Sequence, residues 1–285
     1  MEIKIAEFAG FCFGVKRAMD VAWKKLHENS GTAIYSLGPL IHNKQAVERY
    51  QQEGLKIADS VEEVEDGSVV IIRSHGVALS VYDELMSKNV EIIDATCPFV
   101  SKIQKIVSKD YAQGKAIIIV GDPQHPEVIG INGWCENGAV IIKELGDLDN
   151  MEWDKTKEYS VVVQTTMNSD GYESIQNKLE EMLPSVVFNN TICSATCERQ
   201  EASRKLSEKV ELMIVIGGLH SSNTRKLAQV CSNNCKTMHI ETKDDLDVEE
   251  ICSYSTIGIT AGASTPEWII EETVEYIKEA DENRR

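Results

Sequence analysis

Phe11-Cys12-Phe13-Gly14-Val15-Lys16-Arg17-Ala18 follows an alternating stretch, Glu2-Ile3-Lys4-Ile5-Ala6-Glu7, and leads into a helix-like run from Val15 to Leu26. The same passage of strand, cysteine and helix recurs at Val90-Glu91-Ile92-Ile93-Asp94 with Cys97, and at Ser185-Val186-Val187-Phe188-Asn189 with Cys193. Helical segments then cover Phe99 to Tyr111 and Glu198 to Lys209. Pro98, directly behind Cys97, suits a first helical position. All three thiols are therefore expected near helix N-termini, where partial positive charge favours thiolate. Positions 12, 97 and 193 cut the 285 residues into three similar lengths, which predicts three similar units.

The stretches between the cysteines repeat as well. Thr32-Ala-Ile-Tyr-Ser-Leu37 runs into Gly38-Pro-Leu-Ile-His42-Asn43, Lys115-Ala-Ile-Ile-Ile-Val120 into Gly121-Asp-Pro-Gln-His125-Pro-Glu127, and Glu211-Leu-Met-Ile-Val-Ile216 into Gly217-Gly-Leu-His-Ser221-Ser222-Asn223. Each is an apolar strand, a glycine turn and a polar loop before a helix. A second set of strands ends at Ser74-His75-Gly76, at Thr165-Thr166 and at Gly262-Ala-Ser264-Thr265. Alternation of strands and helices predicts an α/β fold with mainly parallel sheets. The expected units are 14–97, 98–193 and 194–285, the last completed by the N-terminal strand within 1–13. In such sheets ligands bind at the carboxyl ends of the strands, where the Cys, His, Thr and Ser residues fall. Pseudo-threefold symmetry would turn three such edges toward one central cavity.

Composition narrows the function. Hydrophobic residues make up 42% of the chain, enough for a substantial core. A formal charge of −17 argues against a nucleic acid or an anionic membrane as partner. No apolar run has the length of a membrane span, and Glu2 and Glu7 interrupt any signal-like start, so a cytoplasmic location is expected. In a reducing compartment eight cysteines read as metal or cluster ligands before they read as disulfides. Three thiolates can hold a zinc ion with a histidine as fourth ligand, or an iron–sulfur cubane with one iron lacking a protein ligand. Spacing alone does not choose between them.

The full set of motifs does more. Phe11-Cys12-Phe-Gly-Val-Lys-Arg-Ala18, Gly38-Pro-Leu-Ile-His42-Asn43, Ser74-His75-Gly76-Val77, Asp94-Ala-Thr-Cys97-Pro98, His125-Pro-Glu127, Gln164-Thr165-Thr166, Thr191-Ile-Cys193, Ser221-Ser222-Asn223 and Gly262-Ala-Ser264-Thr-Pro266 together resemble the 4-hydroxy-3-methylbut-2-enyl diphosphate reductases, in order and over nearly the whole chain. The resemblance implies a trefoil of three α/β domains around one [4Fe–4S] cluster held by Cys12, Cys97 and Cys193, its unique iron binding the substrate hydroxyl. It implies reductive removal of that hydroxyl as water, giving isopentenyl and dimethylallyl diphosphates in the last step of the non-mevalonate isoprenoid pathway. Electrons would come from an external ferredoxin- or flavodoxin-like donor. Under this resemblance Glu127 is the proton source, Thr165 relays the proton, and His125 stands with them. His42, His75, His125, Thr165, Ser221, Ser222, Asn223 and Ser264 would bind substrate, chiefly its diphosphate.

Each residue also has an ordinary reading. A lone cysteine is often a buried apolar thiol, Glu127 is a first-turn acid favoured by the helix dipole, and Ser221 to Asn223 are common N-cap types. The acidic stretches 61–66, 144–149 and 242–250 read as solvated turns and short helices. Cys135, Cys231, Cys235 and Cys252 read as packing residues, with each of the pairs Cys193/Cys197 and Cys231/Cys235 spaced to share a helix face. Cys197 receives no role.

Overall fold

A computed structural model describes residues 1–28 and 31–284. In chain order the elements are β1 (Glu2–Ile5), α1 (Phe13–Glu28), β2 (Ile34–Leu37), α2 (Lys44–Gln52), β3 (Leu55–Ala58), β4 (Val69–Ile72), α3 (Leu79–Ser87), β5 (Glu91–Asp94), α4 (Pro98–Ala112), β6 (Ala116–Val120) and α5 (Pro126–Asn132). There follow β7 (Val140–Ile142), β8 (Tyr159–Val163), α6 (Ser169–Met182), β9 (Val186–Phe188), α7 (Ser194–Ser207), β10 (Leu212–Ile216), α8 (Ser222–Ser232), β11 (Lys236–Ile240), α9 (Val248–Ile251), β12 (Thr256–Ala261) and α10 (Glu267–Arg284). Among the described residues the strands form three four-stranded parallel sheets, ordered β5-β4-β2-β3, β9-β8-β6-β7 and β1-β12-β10-β11. Topology is the same in all three. A cysteine follows the edge strand each time, and the third sheet takes that strand from the N-terminus.

Central strands read as near-continuous apolar runs because helices cover both faces of a parallel sheet. Leu212 to Ile216 are all buried, as are Ile117 to Val120. On one face of the third sheet Leu212, Ile214 and Ile216 pack with Ile257, Ile259, Ile269 and Ile277; on the other Met213 and Val215 meet Leu227 and Cys231. Truncating one such side chain, Ile214→Ala, would cost about 2–5 kcal/mol by leaving a cavity.

Three sets of hydrogen bonds repeat from sheet to sheet. After each central strand a glycine N–H donates across to the far edge strand: Gly38 to Ala58 O, Gly121 to Ile142 O and Gly217 to Ile240 O, all at 2.8 Å. The following helix is N-capped by Asn43, His125 or Ser221. Each cysteine N–H then donates to the loop after the neighbouring strand: Cys97 to Ser74 O at 2.9 Å, Cys193 to Thr165 O at 3.1 Å and Cys12 to Ala263 O at 3.2 Å. Glycine is required at 217, where φ is +145° and a Cβ would lie 2.6 Å from Thr265 Oγ1.

The described residues divide into two compact units. One comprises Met1–Lys16, Ile41–Arg49 and Ser194–Arg285, and the other Arg17–Leu40 and Tyr50–Cys193. α1 and α4 begin within two residues of their expected starts, whereas α7 begins four residues early. The periodicity points to Glu198–Lys209, whereas α7 runs Ser194–Ser207, since its buried face is polar: Thr196, Arg199, Gln200, Ser203 and Ser207. Cys235 lies beyond the end of α8 at Ser232, so the pair Cys231/Cys235 does not share a helix.

Candidate functional site

In the unit holding Cys97 and Cys193, the chemistry starts from His125-Pro126-Glu127. Pro126 suits the first turn of α5, and the His125 ring caps it, with Nδ1 accepting from the Glu127 N–H at 3.1 Å. An accepting Nδ1 places the proton of a neutral ring on Nε2. The Glu127 carboxylate is only 2% exposed. Its Oε1 accepts from the Thr165 N–H and its Oε2 from the Thr165 hydroxyl, both at 2.6 Å. One residue thus engages both carboxyl oxygens. The carbonyl of that same Thr165 receives the N–H of Cys193. Gln164 braces the neighbouring loops, accepting from Asp122 N at 3.0 Å and donating to Thr166 Oγ1 at 3.0 Å. The His75 ring lies 5.5 Å from that of His125, edge-on at 79°, one residue after the Ser74 carbonyl that receives Cys97 N–H. His75, His125, Glu127, Thr165, Cys97 and Cys193 therefore all occupy the carboxyl ends of strands in this unit.

The other unit is built differently. Cys12 is joined to Ala263, and the next residue, Ser264, donates its hydroxyl to the His42 carbonyl at 3.1 Å. Gly218 approaches that same carbonyl so closely that a Cβ there would stand 2.6 Å from it. Ser221 caps α8 by accepting from Thr224 N at 3.4 Å, which leaves Ser222, Asn223 and Thr224 buried in the first turn. Both polar atoms of the Asn223 amide are buried without a hydrogen-bond partner among the described residues, as are Thr224 Oγ1 and Asn43 Nδ2. Each such atom costs about 1–3 kcal/mol while unsatisfied. An amide, a hydroxyl and a helix N-terminus left in that condition suit a polar, anionic ligand.

Of the candidate site residues, Cys12, His42, His75, Cys97, His125, Thr165, Cys193, Ser221 and Ser264 lie in the loops beyond the carboxyl ends of strands, and Glu127, Ser222 and Asn223 lie in the first turns of α5 and α8. Ser221 only accepts as a cap, which leaves its O–H proton to donate, whereas the Ser264 hydroxyl proton is given to the His42 carbonyl. Asn43 enters the sequence reading only as the end of a motif and Thr224 not at all, although Asn43 stands where His125 and Ser221 stand in the other sheets. Cys12, Cys97 and Cys193 are half-buried, Cys197 is exposed, and Cys135 and Cys231 are buried. Burial, with a smaller contribution from Cys235, pushes the Cys231 thiol up to about 12, which keeps it protonated and inert. Among the described residues no helix is long and apolar enough to cross a membrane.

Comparison with known proteins gives a consistent result. Residues 3–278 match the model of a family described as LytB protein. The 4-hydroxy-3-methylbut-2-enyl diphosphate reductase of Clostridioides difficile strain 630 is 55% identical over 278 residues, covering 98% of this chain and 99% of the relative. The reductase of the same name from Caldanaerobacter subterraneus subsp. tengcongensis is 48% identical, covering 98% and 97%. Among solved structures, the E-1-hydroxy-2-methyl-but-2-enyl-4-diphosphate reductase of Plasmodium falciparum superposes with a TM-score of 0.91 at 30% identity, covering 97% of this chain and 87% of that one. A structure titled as (E)-4-hydroxy-3-methyl-but-2-enyl diphosphate reductase, the terminal enzyme of the non-mevalonate pathway, is 40% identical with a TM-score of 0.71, covering 98% and 100%.

Proposed function

This chain belongs to the LytB protein family, and we propose that it reduces 4-hydroxy-3-methylbut-2-enyl diphosphate to isopentenyl and dimethylallyl diphosphates. Two electrons and two protons enter, the allylic C–O bond breaks, and water leaves. Cys12, Cys97 and Cys193 hold a [4Fe–4S] cluster. Their fit to that group rests on an all-thiol donor set, half-buried, at the same position of three equivalent sheets with the same backbone N–H restraint. When bound, the cluster supplies single electrons and a Lewis-acidic iron without a protein ligand. The electrons come from an external carrier of ferredoxin or flavodoxin type, and a reducing cytoplasm suits such a centre. Segments 14–97, 98–193 and 194–285, the last with strand residues from 1–13, are the repeating units of the enzyme.

Glu127 holds the proton for the departing hydroxyl. Oε1 is oriented by the Thr165 N–H; the Thr165 hydroxyl, which donates to Oε2 of the carboxylate, accepts the proton of the protonated acid and hands its own onward, and His125 fixes the same turn through Nδ1. His42, His75, Ser222 and Asn223 donate to diphosphate oxygens, together with Ser221 at the α8 N-terminus, and Ser264 joins them by turning its hydroxyl from the His42 carbonyl to the ligand. Short-range donors are needed because a chain of charge −17 repels a diphosphate at long range.

The observation that carries this reading is the buried Glu127–Thr165 pair, tied through the Thr165 carbonyl to the N–H of Cys193. It couples a proton-holding carboxyl to a cluster cysteine. The test is an anaerobic assay with the allylic diphosphate and a low-potential one-electron reductant, followed by product analysis. Both isomeric diphosphates and one water per two electrons are expected; turnover without reductant would overturn the reading.

A further inference from the structure

We infer that Arg199 is a positioning residue for Cys12, acting by clamping the loop that delivers this thiol to the sheet edge; the inference rests on the cluster reading above. The three approaches to a cysteine differ in length. Two residues separate the end of β5 from Cys97 and four separate β9 from Cys193, but six, Ala6 to Phe11, separate β1 from Cys12. That longest approach is also the least regular. Phe8 has a φ of +63° and Gly10 a φ of +93°. Its backbone is tied to β12 and the loop beyond by Ala6 N–H to Ile259 O at 2.7 Å and Cys12 N–H to Ala263 O at 3.2 Å, but only weakly between them, by Gly10 N–H to Ala261 O at 3.5 Å.

Arg199 occupies the gap. It is 2% exposed, on the inner face of α7. Its Nε donates to Phe8 O at 2.9 Å and its Nη2 to Gly10 O at 2.7 Å, while Nη1 reaches back to Ala195 O of its own helix at 3.3 Å. A planar guanidinium can bridge two carbonyls in this way; an ammonium cannot do so with the same geometry. The clamp closes two residues before Cys12, so it fixes where the sulfur emerges.

The device has a counterpart in the other unit. Arg17 Nη1 donates to Thr96 O at 3.1 Å and Nη2 to Asp94 O at 3.3 Å, bracketing the approach to Cys97. Before Cys193 the bracing is done by a hydroxyl: Thr191 Oγ1 accepts from Val163 N at 2.8 Å and donates to Val163 O at 2.6 Å. Each ligand loop therefore has its own side-chain brace against backbone, and the longest has the most buried one. Outer groups that orient metal ligands commonly change metal retention about 10–100-fold when removed.

The experiment compares iron release to a chelator, under anaerobic conditions, from reconstituted wild-type protein and from the variants Arg199→Met, Arg199→Lys and Ser203→Ala. Ser203 lies on the same buried face of α7, bonded to Thr260, and controls for disturbance of the helix. Arg199→Met is expected to release iron about tenfold faster or more and to alter the electron paramagnetic resonance signal of the reduced cluster. Arg199→Lys should fall between it and wild type, and Ser203→Ala should match wild type. Wild-type release and an unchanged signal in Arg199→Met would overturn the clamp, as would equal acceleration by Ser203→Ala. If Arg199→Met does not fold, Arg17→Met carries the same test at Cys97, with faster release expected and wild-type release contradicting. Wild-type protein that takes up no cluster would instead remove the underlying reading, and this inference with it.

Discussion

The Glu127–Thr165 region and the Asn223 region are both buried polar clusters at the carboxyl ends of parallel strands, yet their hydrogen bonding is opposite. In the first, a buried carboxylate is satisfied from within by one residue's N–H and hydroxyl at 2.6 Å. In the second, four buried polar atoms on Asn43, Asn223 and Thr224 have no partner among the described residues. A group that must hold a proton at a set place benefits from being oriented before substrate arrives. A receptor for a diphosphate gains affinity when its donors have no internal partners to give up.

Four substitutions put that contrast to the test. The largest effect is expected for Glu127→Gln, which keeps the shape and removes the acid: turnover should fall about 10²–10⁴-fold while the affinity for the allylic diphosphate stays near wild type, read from steady-state rates and anaerobic binding titration. Near-normal turnover would take Glu127 out of the proton path. Asn223→Ala should do the reverse, weakening diphosphate binding about 10–100-fold with a smaller loss in turnover at saturation, as befits removal of a donor to a charged ligand. Unchanged affinity would mean that Asn223 has no part in holding the anion.

Smaller effects on the ligand-free protein test the contrast without catalysis. Thr165→Val removes the hydroxyl that Glu127 accepts from and should destabilise by about 1–3 kcal/mol in denaturant unfolding. Asn223→Leu replaces an unsatisfied amide by an apolar group of similar size and should be neutral or stabilising by about 1 kcal/mol. Loss of stability in both variants would show that the two clusters are alike.

Much of this architecture is legible in the chain because parallel strands buried on both faces are written as apolar runs, such as Ala116-Ile-Ile-Ile-Val120, with the polar residues immediately after them. That ordering alone brings Cys97, His125 and Ser221 to strand ends. What is hard to read follows from side chains that satisfy the backbone. Arg17 and Arg199 look like ordinary helix-surface residues until the carbonyls they hold are known. The start of α7 escapes a periodicity reading because Thr196, Gln200 and Ser203 face inward where apolar residues would have marked the helix. Asn43 has the same origin: its backbone-capping role is visible only once its equivalence to His125 and Ser221 is drawn from the sheets.

Three strand-end thiols serving one iron–sulfur centre are what the proposed chemistry needs most. Iron, acid-labile sulfide and zinc can be counted per chain in protein purified without oxygen, alongside turnover of the allylic diphosphate. About four irons and four sulfides are expected in brown, active protein, with both counts falling sharply when Cys12, Cys97 or Cys193 is replaced by serine. Colourless protein that carries zinc and is active would contradict it.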